Sequence, residues 1–289
     1  MPHCVLSRGH IALVVLLLQF VLAFQGVAAD GNLDFSRVHI VDVFHPMHDG
    51  PVNLLVRSNQ PNNATTFDID ALQQDIAKRA EELNVRVGYP FFIQDVSLDN
   101  DLNKGFAQEK EFWHAPGSAQ YGSFTNWPLG TAGVLPPSSY SEAKRRELLN
   151  STVWKVDQLP SRIDELHQML VRPSPQLGRS TATLVHCTAG CDRTGEVIGA
   201  YRMVYGGLGS NGAYLGRATT TQMYALDTSE CGRSPNYWST SALEWWCFEL
   251  LYNRNIGSGN CTGFASCEPL QHGQPCQPCT PNATTTCKV

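Results

Sequence analysis

The sequence predicts a mixed α/β fold in which a central sheet is flanked by helices. Short apolar runs typical of strands alternate along the chain with segments whose apolar residues recur every three or four positions, the pattern of a helix with one buried face. Beyond the first 29 residues the chain keeps about 260 residues, which is enough for one large core. A cysteine-rich segment follows the last predicted helix.

Residues 1–29 are expected to be a secretory signal peptide. They contain a basic residue at Arg8, an apolar run over 11–24 and the small residues Val27, Ala28 and Ala29. The run is shorter than the roughly 20 residues of a bilayer span, so cleavage after Ala29 is favoured over an uncleaved membrane anchor. No later segment is apolar enough to span. The sequence therefore predicts a protein with no membrane span that is secreted or retained in an endomembrane lumen.

The first elements are expected to be a strand, a helix and a second strand. Alternating apolar residues predict a strand over 38–43, and apolar steps of three and four predict a helix over 68–83. A strand over 85–93 follows. Residues 99–139 are rich in glycine, proline and aromatic residues and show little periodicity, so we expect a long irregular insertion there.

The second half of the chain is expected to alternate in the same way. The predicted elements are a helix over 140–149, a strand over 153–156, a helix started by Ser161 and Asp164 as a capping pair, a strand over 183–185, and helices over 194–205 and 239–252. Together they predict one domain over residues 30–255 and a disulfide-rich tail over 256–289.

Charge and sequons both bear on partners and location. The chain has a formal net charge of −5, and this mildly acidic balance gives no support to nucleic acid or an anionic membrane as a general partner. Four sequons agree with the secretory route and predict glycosylation at Asn63, Asn150, Asn260 and Asn282.

The 10 cysteines divide by position. Cys4 is lost with the signal peptide, and Cys187 belongs to the motif described next. The other eight are expected to form disulfides in an oxidising compartment, in a pairing that the sequence leaves open: Cys191, Cys231, Cys247, Cys261, Cys267, Cys276, Cys279 and Cys287.

Two groups of residues bear some likeness to metal ligands. One is the pair Cys276 and Cys279, and the other is the set of His39, His45 and His48 near Asp42. The first has no second close pair, and scattered histidines at a strand end are more often ordinary structure. We therefore expect no metal and no cofactor.

The segment with the clearest chemistry lies between a predicted strand and a predicted helix. It reads His186, Cys187, Thr188, Ala189, Gly190, Cys191, Asp192, Arg193, Thr194, Gly195. Backbone N–H groups of such a loop, together with the N-terminus of the following helix, can converge on an anion. The planar guanidinium of Arg193 can bind two phosphate oxygens at once. The same positive field favours the thiolate form of Cys187, so Thr188 to Arg193 are expected to bind phosphate while Cys187 attacks phosphorus.

This segment resembles the signature of the protein tyrosine phosphatase superfamily: His-Cys, five variable residues, Arg, and Ser or Thr. Its pattern is most similar to the dual-specificity and lipid-phosphatase branches. The resemblance implies hydrolysis of a phosphorylated substrate through a phosphocysteine intermediate. Thr194 is expected to hydrogen-bond the sulfur and to assist when water attacks the intermediate, and His186 is expected to orient the loop from behind.

The family also uses a general acid on a separate loop. Asp157 lies 30 residues before Cys187 and, with Pro160, resembles the Asp-x-x-Pro acid loop of the compact branches. Asp157 is therefore expected to protonate the leaving oxygen and later to accept a proton from water. The alternative is that Asp157 only caps a turn. Asp192 is a second candidate, because myotubularin lipid phosphatases carry Asp at this position.

A different acid loop is disfavoured. Trp127 and Pro128 resemble the Trp-Pro-Asp loop of the tyrosine-specific branch, but the third residue is Leu129. This departure counts against placing the acid there.

The expected substrate is phosphotyrosine or a small phosphomonoester, because the loop lacks the lysine that inositol phosphatases often carry and Asp192 adds negative charge. A phosphoinositide or an inositol phosphate is the alternative. Two other classes stay open: an inactive secreted phosphate-binding module and a rhodanese-like sulfur transferase.

Cys191 is expected either to trap Cys187 in a disulfide, so that mild reduction raises activity, or to form a structural disulfide with another cysteine.

Overall fold

The computed structural model describes residues 32–46, 50–63, 66–103, 105–129, 135–172, 174, 178–256 and 261. The predicted signal peptide and, apart from 256 and 261, the predicted tail lie outside these residues. Within them, five strands form one sheet in the order β1-β2-β5-β3-β4: β1 (His39–Phe44), β2 (Asn53–Asn59), β3 (Phe92–Ser97), β4 (Gly122–Asn126) and β5 (Thr181–Cys187). β1 and β2 pair antiparallel, and the other neighbours are parallel. This confirms the predicted mixed α/β fold.

Helices cover both faces of the sheet. The described helices are α1 (Ile69–Glu82), α2 (Phe106–His114), α3 (Glu142–Ser151), α4 (Leu159–Val171), α5 (Asp192–Tyr205), α6 (Thr220–Cys231) and α7 (Tyr237–Tyr252). α1 and α2 pack on one face, where Leu72 and Ile76 join a buried cluster with Val56 of β2. α4, α5 and α7 pack on the opposite face around Val185 and Trp246. None of the helices in the described ranges has the length and apolar character needed to cross a bilayer.

The parallel strands fix where polar residues meet. Because β2, β3 and β5 run in the same direction, their carboxyl ends lie at one edge of the sheet. Asn59 is opposite Cys187 in the register, and Ser97 is opposite His186. The loops that follow these strands therefore surround the residues after Cys187.

The first half of the chain contains more regular structure than predicted. β3 begins at Phe92 rather than at residue 85, after Gly88 and the cis peptide bond before Pro90. The expected irregular insertion over 99–139 contains α2 and β4, and β2 was missed. The sequence pattern did not predict α2, because its buried face consists of two aromatic residues and a glutamate, Phe106, Trp113 and Glu109.

The second half departs from prediction around α4. Residues 153–156 form a turn rather than a strand. α4 begins at Leu159 and includes Pro160 in its first turn. Proline is tolerated there because N–H groups in the first turn have no hydrogen-bond partner within the helix. Ser161 does not cap this helix, since its hydroxyl donates to the Gln158 carbonyl at 2.9 Å. α6 was also missed by the sequence analysis.

Two disulfides are present among the described cysteines, Cys191–Cys231 and Cys247–Cys261. Cys187 is a free thiol. The structure therefore favours the second expectation for Cys191, a structural pair away from the nucleophile. Of the four sequons, Asn150 lies exposed on α3 and Asn63 is half-buried, whereas Asn260 and Asn282 fall outside the described residues.

Candidate active site

Cys187 is the last residue of β5, and α5 begins only five residues later at Asp192. The intervening residues therefore form a short loop between the carboxyl end of a central strand and the N-terminus of a helix. The Cys187 side chain is buried with the core on its α4 and α5 side. This placement brings the thiol to the positive end of the α5 dipole.

The loop is held from outside through three successive carbonyl groups. The Gln60 N–H donates to Thr188 O at 3.4 Å, Arg37 Nη1 donates to Ala189 O at 2.7 Å, and Arg57 Nη2 donates to Gly190 O at 2.8 Å. A trans peptide places its N–H opposite its carbonyl. The outward carbonyls of Thr188 and Gly190 therefore leave the Ala189 and Cys191 N–H groups on the opposite side of their peptides, whereas the Gly190 N–H donates to Cys187 O at 3.1 Å.

Gly190 is required by the shape of this loop. Its φ is +67°, a left-handed conformation that side chains disfavour. A Cβ added to it would lie 2.4 Å from the Asn59 N and 2.5 Å from the Ser58 carbonyl oxygen, so the loop could not pack this closely on β2.

Arg193, in the first turn of α5, is held in place by the segment that follows β3. Its Nη1 donates to Leu98 O at 2.9 Å and to Asn103 Oδ1 at 3.0 Å, and its Nη2 lies 2.7 Å from Asp99 Oδ1. Burial alone would lower the pKa of Arg193, but the charges of Cys187 and Asp99 raise it. The guanidinium is thus charged, oriented and within electrostatic reach of the sulfur.

Asp99 is a site residue that the sequence analysis missed. The same Oδ1 that meets Arg193 also accepts the Thr188 N–H at 3.0 Å and the Thr188 hydroxyl at 2.8 Å. Asp99 is fully buried. One carboxylate oxygen therefore joins the start of the loop to the arginine at its end. β3 was placed too early in the sequence analysis, so Asp99 was assigned to an irregular insertion instead of to the carboxyl end of a strand beside β5.

Thr194 follows Arg193 in α5, and His186 precedes Cys187 in β5. The Thr194 hydroxyl is buried and has no hydrogen-bond partner among the described residues. His186 is fully buried on β5, and its Nε2 lies 2.9 Å from Asp95 Oδ1 and 3.1 Å from Glu109 Oε1. Burial opposes protonation of His186, but Glu109 and Asp95 raise its pKa well above the ordinary value.

Asp157 lies in the turn before α4 and is buried. It stands among charged residues near the loop, within electrostatic reach of Arg162 and of Glu196 on α5. Burial and Asp157 raise the pKa of Glu196 well above its ordinary value, although Arg193 and Arg162 oppose the shift. Glu196 is a second residue that the sequence analysis missed, and the charges of both Asp157 and Arg193 act on it.

Asp192 is engaged on both carboxylate oxygens. Arg233 Nη1 donates to Oδ1 at 3.0 Å, Arg233 Nη2 donates to Oδ2 at 2.6 Å, and the Asn236 N–H donates to Oδ1 at 2.8 Å. The hydrogen bond to Asp192 raises the pKa of Arg233, and burial opposes this shift. The charges of Asp192 and Cys187 also raise it. Arg233 is therefore a second cation at the loop, and it offsets the negative charge that Asp192 adds.

A buried ion-pair network supports the loop from α6. Arg57 lies 2.6 Å from both Asp227 Oδ1 and Glu230 Oε2, and Glu230 also pairs with Arg202 at 2.7 Å. Burial raises the pKa of Asp227 to about 6 despite Arg57. Burial would also raise the pKa of Glu230, but Arg202 and Arg57 lower it to about 2. The Cys191–Cys231 disulfide continues this support at the end of α6.

Most of the expected site residues thus meet at one edge of the sheet. Cys187, Arg193 and the loop residues are contiguous, and Asp192 and Thr194 flank the arginine. Of the three histidines near the first strand, His39 lies on β1 with its ring 3.1 Å from Glu230 O, and His48 lies outside the described residues. In the described ranges, one group of side chains has the arrangement of metal ligands, Asp95 with Glu109 and His186.

A free thiol at the end of a parallel strand, a loop held by its carbonyl groups and a fixed arginine at a helix N-terminus form the candidate site. A comparison with known proteins bears on its class. Residues 134–206, about a quarter of the chain, match the model of the protein-tyrosine phosphatase family. This partial match supports phosphatase activity in general, on a phosphorylated substrate.

Solved structures include eleven matching chains. One is the crystal structure of the Trypanosoma brucei protein tyrosine phosphatase TbPTP1, with 15% identity, 78% of this chain and 76% of that chain covered, and a TM-score of 0.28. No curated protein matches the chain. The class given above therefore depends on the family match and on the geometry of the loop.

Proposed function

We propose that this protein is a secreted phosphomonoester hydrolase that works through a phosphocysteine intermediate on Cys187. The observation that carries the proposal is the pairing of a free, buried Cys187 with an Arg193 that Asp99 holds beside it. Backbone N–H groups, the α5 N-terminus and the guanidinium supply positive charge around a dianionic phosphate.

The proposed reaction has two steps. The Cys187 thiolate forms a bond to phosphorus while the bond to the ester oxygen breaks, and Asp157 gives its proton to that oxygen. Water then attacks phosphorus, Asp157 takes a proton from it, and the bond to sulfur breaks with release of phosphate. Thr194 is proposed to hydrogen-bond the sulfur as it leaves, because its buried hydroxyl has no other described partner.

Asp157 is proposed as the acid in preference to Asp192. Arg233 and the Asn236 N–H donate three hydrogen bonds to the two Asp192 oxygens, so both oxygens are already engaged in holding Arg233 and the start of α7. Asp157 is buried in the turn before α4 and lies within electrostatic reach of Glu196, three residues after Arg193.

The proposed substrate is phosphotyrosine or a small phosphomonoester. A phosphoinositide is the second candidate, and one observation favours it: Arg233 pairs with Asp192, so the loop carries less negative charge than its sequence indicates. A polyanionic head group would gain from this second cation.

Hydrolysis of p-nitrophenyl phosphate by the purified secreted protein tests the reaction, with Cys187→Ser as the decisive variant. Phosphate release that depends on Cys187 supports the proposal. Binding of phosphate without release would indicate the inactive module. Turnover of thiosulfate in place of phosphate esters would indicate the sulfur transferase. Parallel assays with phosphotyrosine peptides and individual phosphoinositides then separate the two substrate classes.

A further inference from the structure

The three side chains behind the loop, His186, Asp95 and Glu109, come from β5, β3 and α2 and are all fully buried. Nε2 of His186 lies 2.9 Å from Asp95 Oδ1 and 3.1 Å from Glu109 Oε1, and the three atoms lie within 4.8 Å of one another. All three atoms lack a well-directed hydrogen bond.

The other oxygen of each carboxylate is hydrogen-bonded. Trp113 Nε1 donates to Asp95 Oδ2 at 2.6 Å. Gln60 Nε2 and Ser97 Oγ donate to Glu109 Oε2 at 3.1 and 3.2 Å. Neutral donors thus fix both carboxylates from behind and leave one oxygen of each facing His186. This division is typical of metal ligands and the groups that orient them.

Charge gives a second reason for a ligand here. Two buried carboxylates require compensating positive charge. Elsewhere in the core the chain supplies it with arginine, as Arg57 and Arg202 do for Glu230. No lysine or arginine in the described ranges forms an ion pair with Asp95 or Glu109. The compensating charge is therefore either a proton on His186, which lies 2.9 Å from Asp95 and 3.1 Å from Glu109, or a bound divalent cation, which would neutralise both carboxylates.

We propose that His186, Asp95 and Glu109 are three protein ligands of one zinc ion buried behind the Cys187–Arg193 loop. One imidazole nitrogen and two carboxylate oxygens are a donor set that zinc accepts. Zinc bonds of about 2.0–2.2 Å in tetrahedral geometry place neighbouring ligand atoms about 3.3–3.6 Å apart, so the separations of 2.9 and 3.1 Å would widen by a few tenths of an ångström on binding. The ion would join β3, α2 and β5 directly behind Cys187, and the hydrolysis proposed above does not depend on it.

The zinc content of the full-length secreted protein, purified without chelator after expression in zinc-supplemented medium, tests the proposal. Elemental analysis should give close to one zinc per chain in the wild type. Asp95→Asn and Glu109→Gln, which preserve shape, should each remove it. Glu111→Gln changes an exposed carboxyl on the same helix and should retain it. A wild type without bound zinc, whose melting temperature is unchanged by added zinc, overturns the proposal and leaves a proton on His186 in its place.

A second measurement keeps the test decisive if the two variants fail to fold. Cobalt(II) substituted for zinc in the wild type should show d–d absorption without a thiolate-to-metal charge-transfer band, because the proposed ligands include no sulfur. A charge-transfer band, or zinc that persists in both folded variants, would place the ion on cysteines elsewhere and overturn the assignment.

Discussion

Asp99 Oδ1 lies 2.7 Å from Arg193 Nη2 and accepts the Thr188 N–H at 3.0 Å. A single buried oxygen thus joins Thr188 at the start of the loop to Arg193 at its end. Because Arg193 is already anchored before substrate arrives, little rotational freedom of its guanidinium has to be lost on binding.

Asp99→Asn should lower kcat/KM for p-nitrophenyl phosphate by about 10- to 100-fold, since a small misplacement of a catalytic group has effects of this size. The amide keeps an acceptor of similar shape but loses the charge that pairs with Arg193. Asp101→Asn is the matched control, because Asp101 is exposed two residues away and pairs only with Lys110 among the described residues. Equal activity of the two variants would show that Asp99 does not position the arginine.

Alkylation and peptide mapping of the unreduced protein test the pairing of Cys191. Alkylation of the unreduced protein should label Cys187, whereas Cys191 should be recovered in a peptide linked to Cys231. Mild reduction should then leave activity unchanged or lower it, contrary to the trapped-thiol expectation. A Cys187–Cys191 linked peptide together with activation by dithiothreitol would restore that expectation.

The same disulfide should also stabilise the fold. Its cysteines are 40 residues apart, and cross-links of this span typically contribute about 2–4 kcal/mol. Cys191→Ala with Cys231→Ala should lower the free energy of unfolding by that amount in urea titrations. Cys247→Ala with Cys261→Ala, which removes a 14-residue link, is the comparison and should cost somewhat less.

Glu230 should make the stability of the fold depend on pH. Its pKa falls from 4.5 to about 2 on folding, so its contribution is complete above pH 4.5 and is lost as the pH falls through 2. Glu230→Gln should cost on the order of 3 kcal/mol at neutral pH and roughly half of that or less at pH 3. Urea titrations at both pH values measure the difference.

Asp227→Asn is the matched control for that experiment. Folding raises the pKa of Asp227 from 3.8 to about 6, so the protonated side chain favours the folded state and the ionised side chain opposes it. The stabilising contribution of Asp227 is therefore lost as the pH rises from 3.8 to about 6. Its substitution should therefore cost less at neutral pH than that of Glu230. A loss from Glu230→Gln that does not change with pH would contradict this account of the network.

The choice of general acid can be decided by leaving groups. Asp157→Asn should reduce kcat about 100-fold on phenyl phosphate, whose leaving oxygen needs a proton, and much less on p-nitrophenyl phosphate. Asp192→Asn should affect the two substrates alike. The reverse pattern would move the assignment to Asp192.

The sequence predicted the residues of the loop better than their supports. Cys187, Arg193 and Thr194 are close in the chain, so their proximity follows from a short strand-loop-helix segment. Asp99 lies 88 residues before Cys187 and Arg233 lies 46 residues after it, yet both contact the same loop. Only the order of the strands and the packing of α6 show that these two residues belong to the site. Local patterns carry no such information.

The errors in secondary structure have a similar cause. β2, which was missed, is buried at every position, so it lacks the alternation that identifies a half-exposed strand. α2 buries Glu109 between two aromatic residues, a face that hydrophobic periodicity does not detect. Its carboxylate is buried because of contacts with residues distant in sequence, Gln60, Ser97 and His186.

Direct detection of the intermediate tests the central claim. Wild-type protein mixed with a phosphotyrosine peptide or p-nitrophenyl phosphate, stopped by rapid denaturation and digested, should yield a peptide with one phosphoryl group on the sulfur of Cys187. Cys187→Ser should show neither this species nor turnover. Phosphate release at the wild-type rate from Cys187→Ser would contradict a phosphocysteine mechanism at this loop.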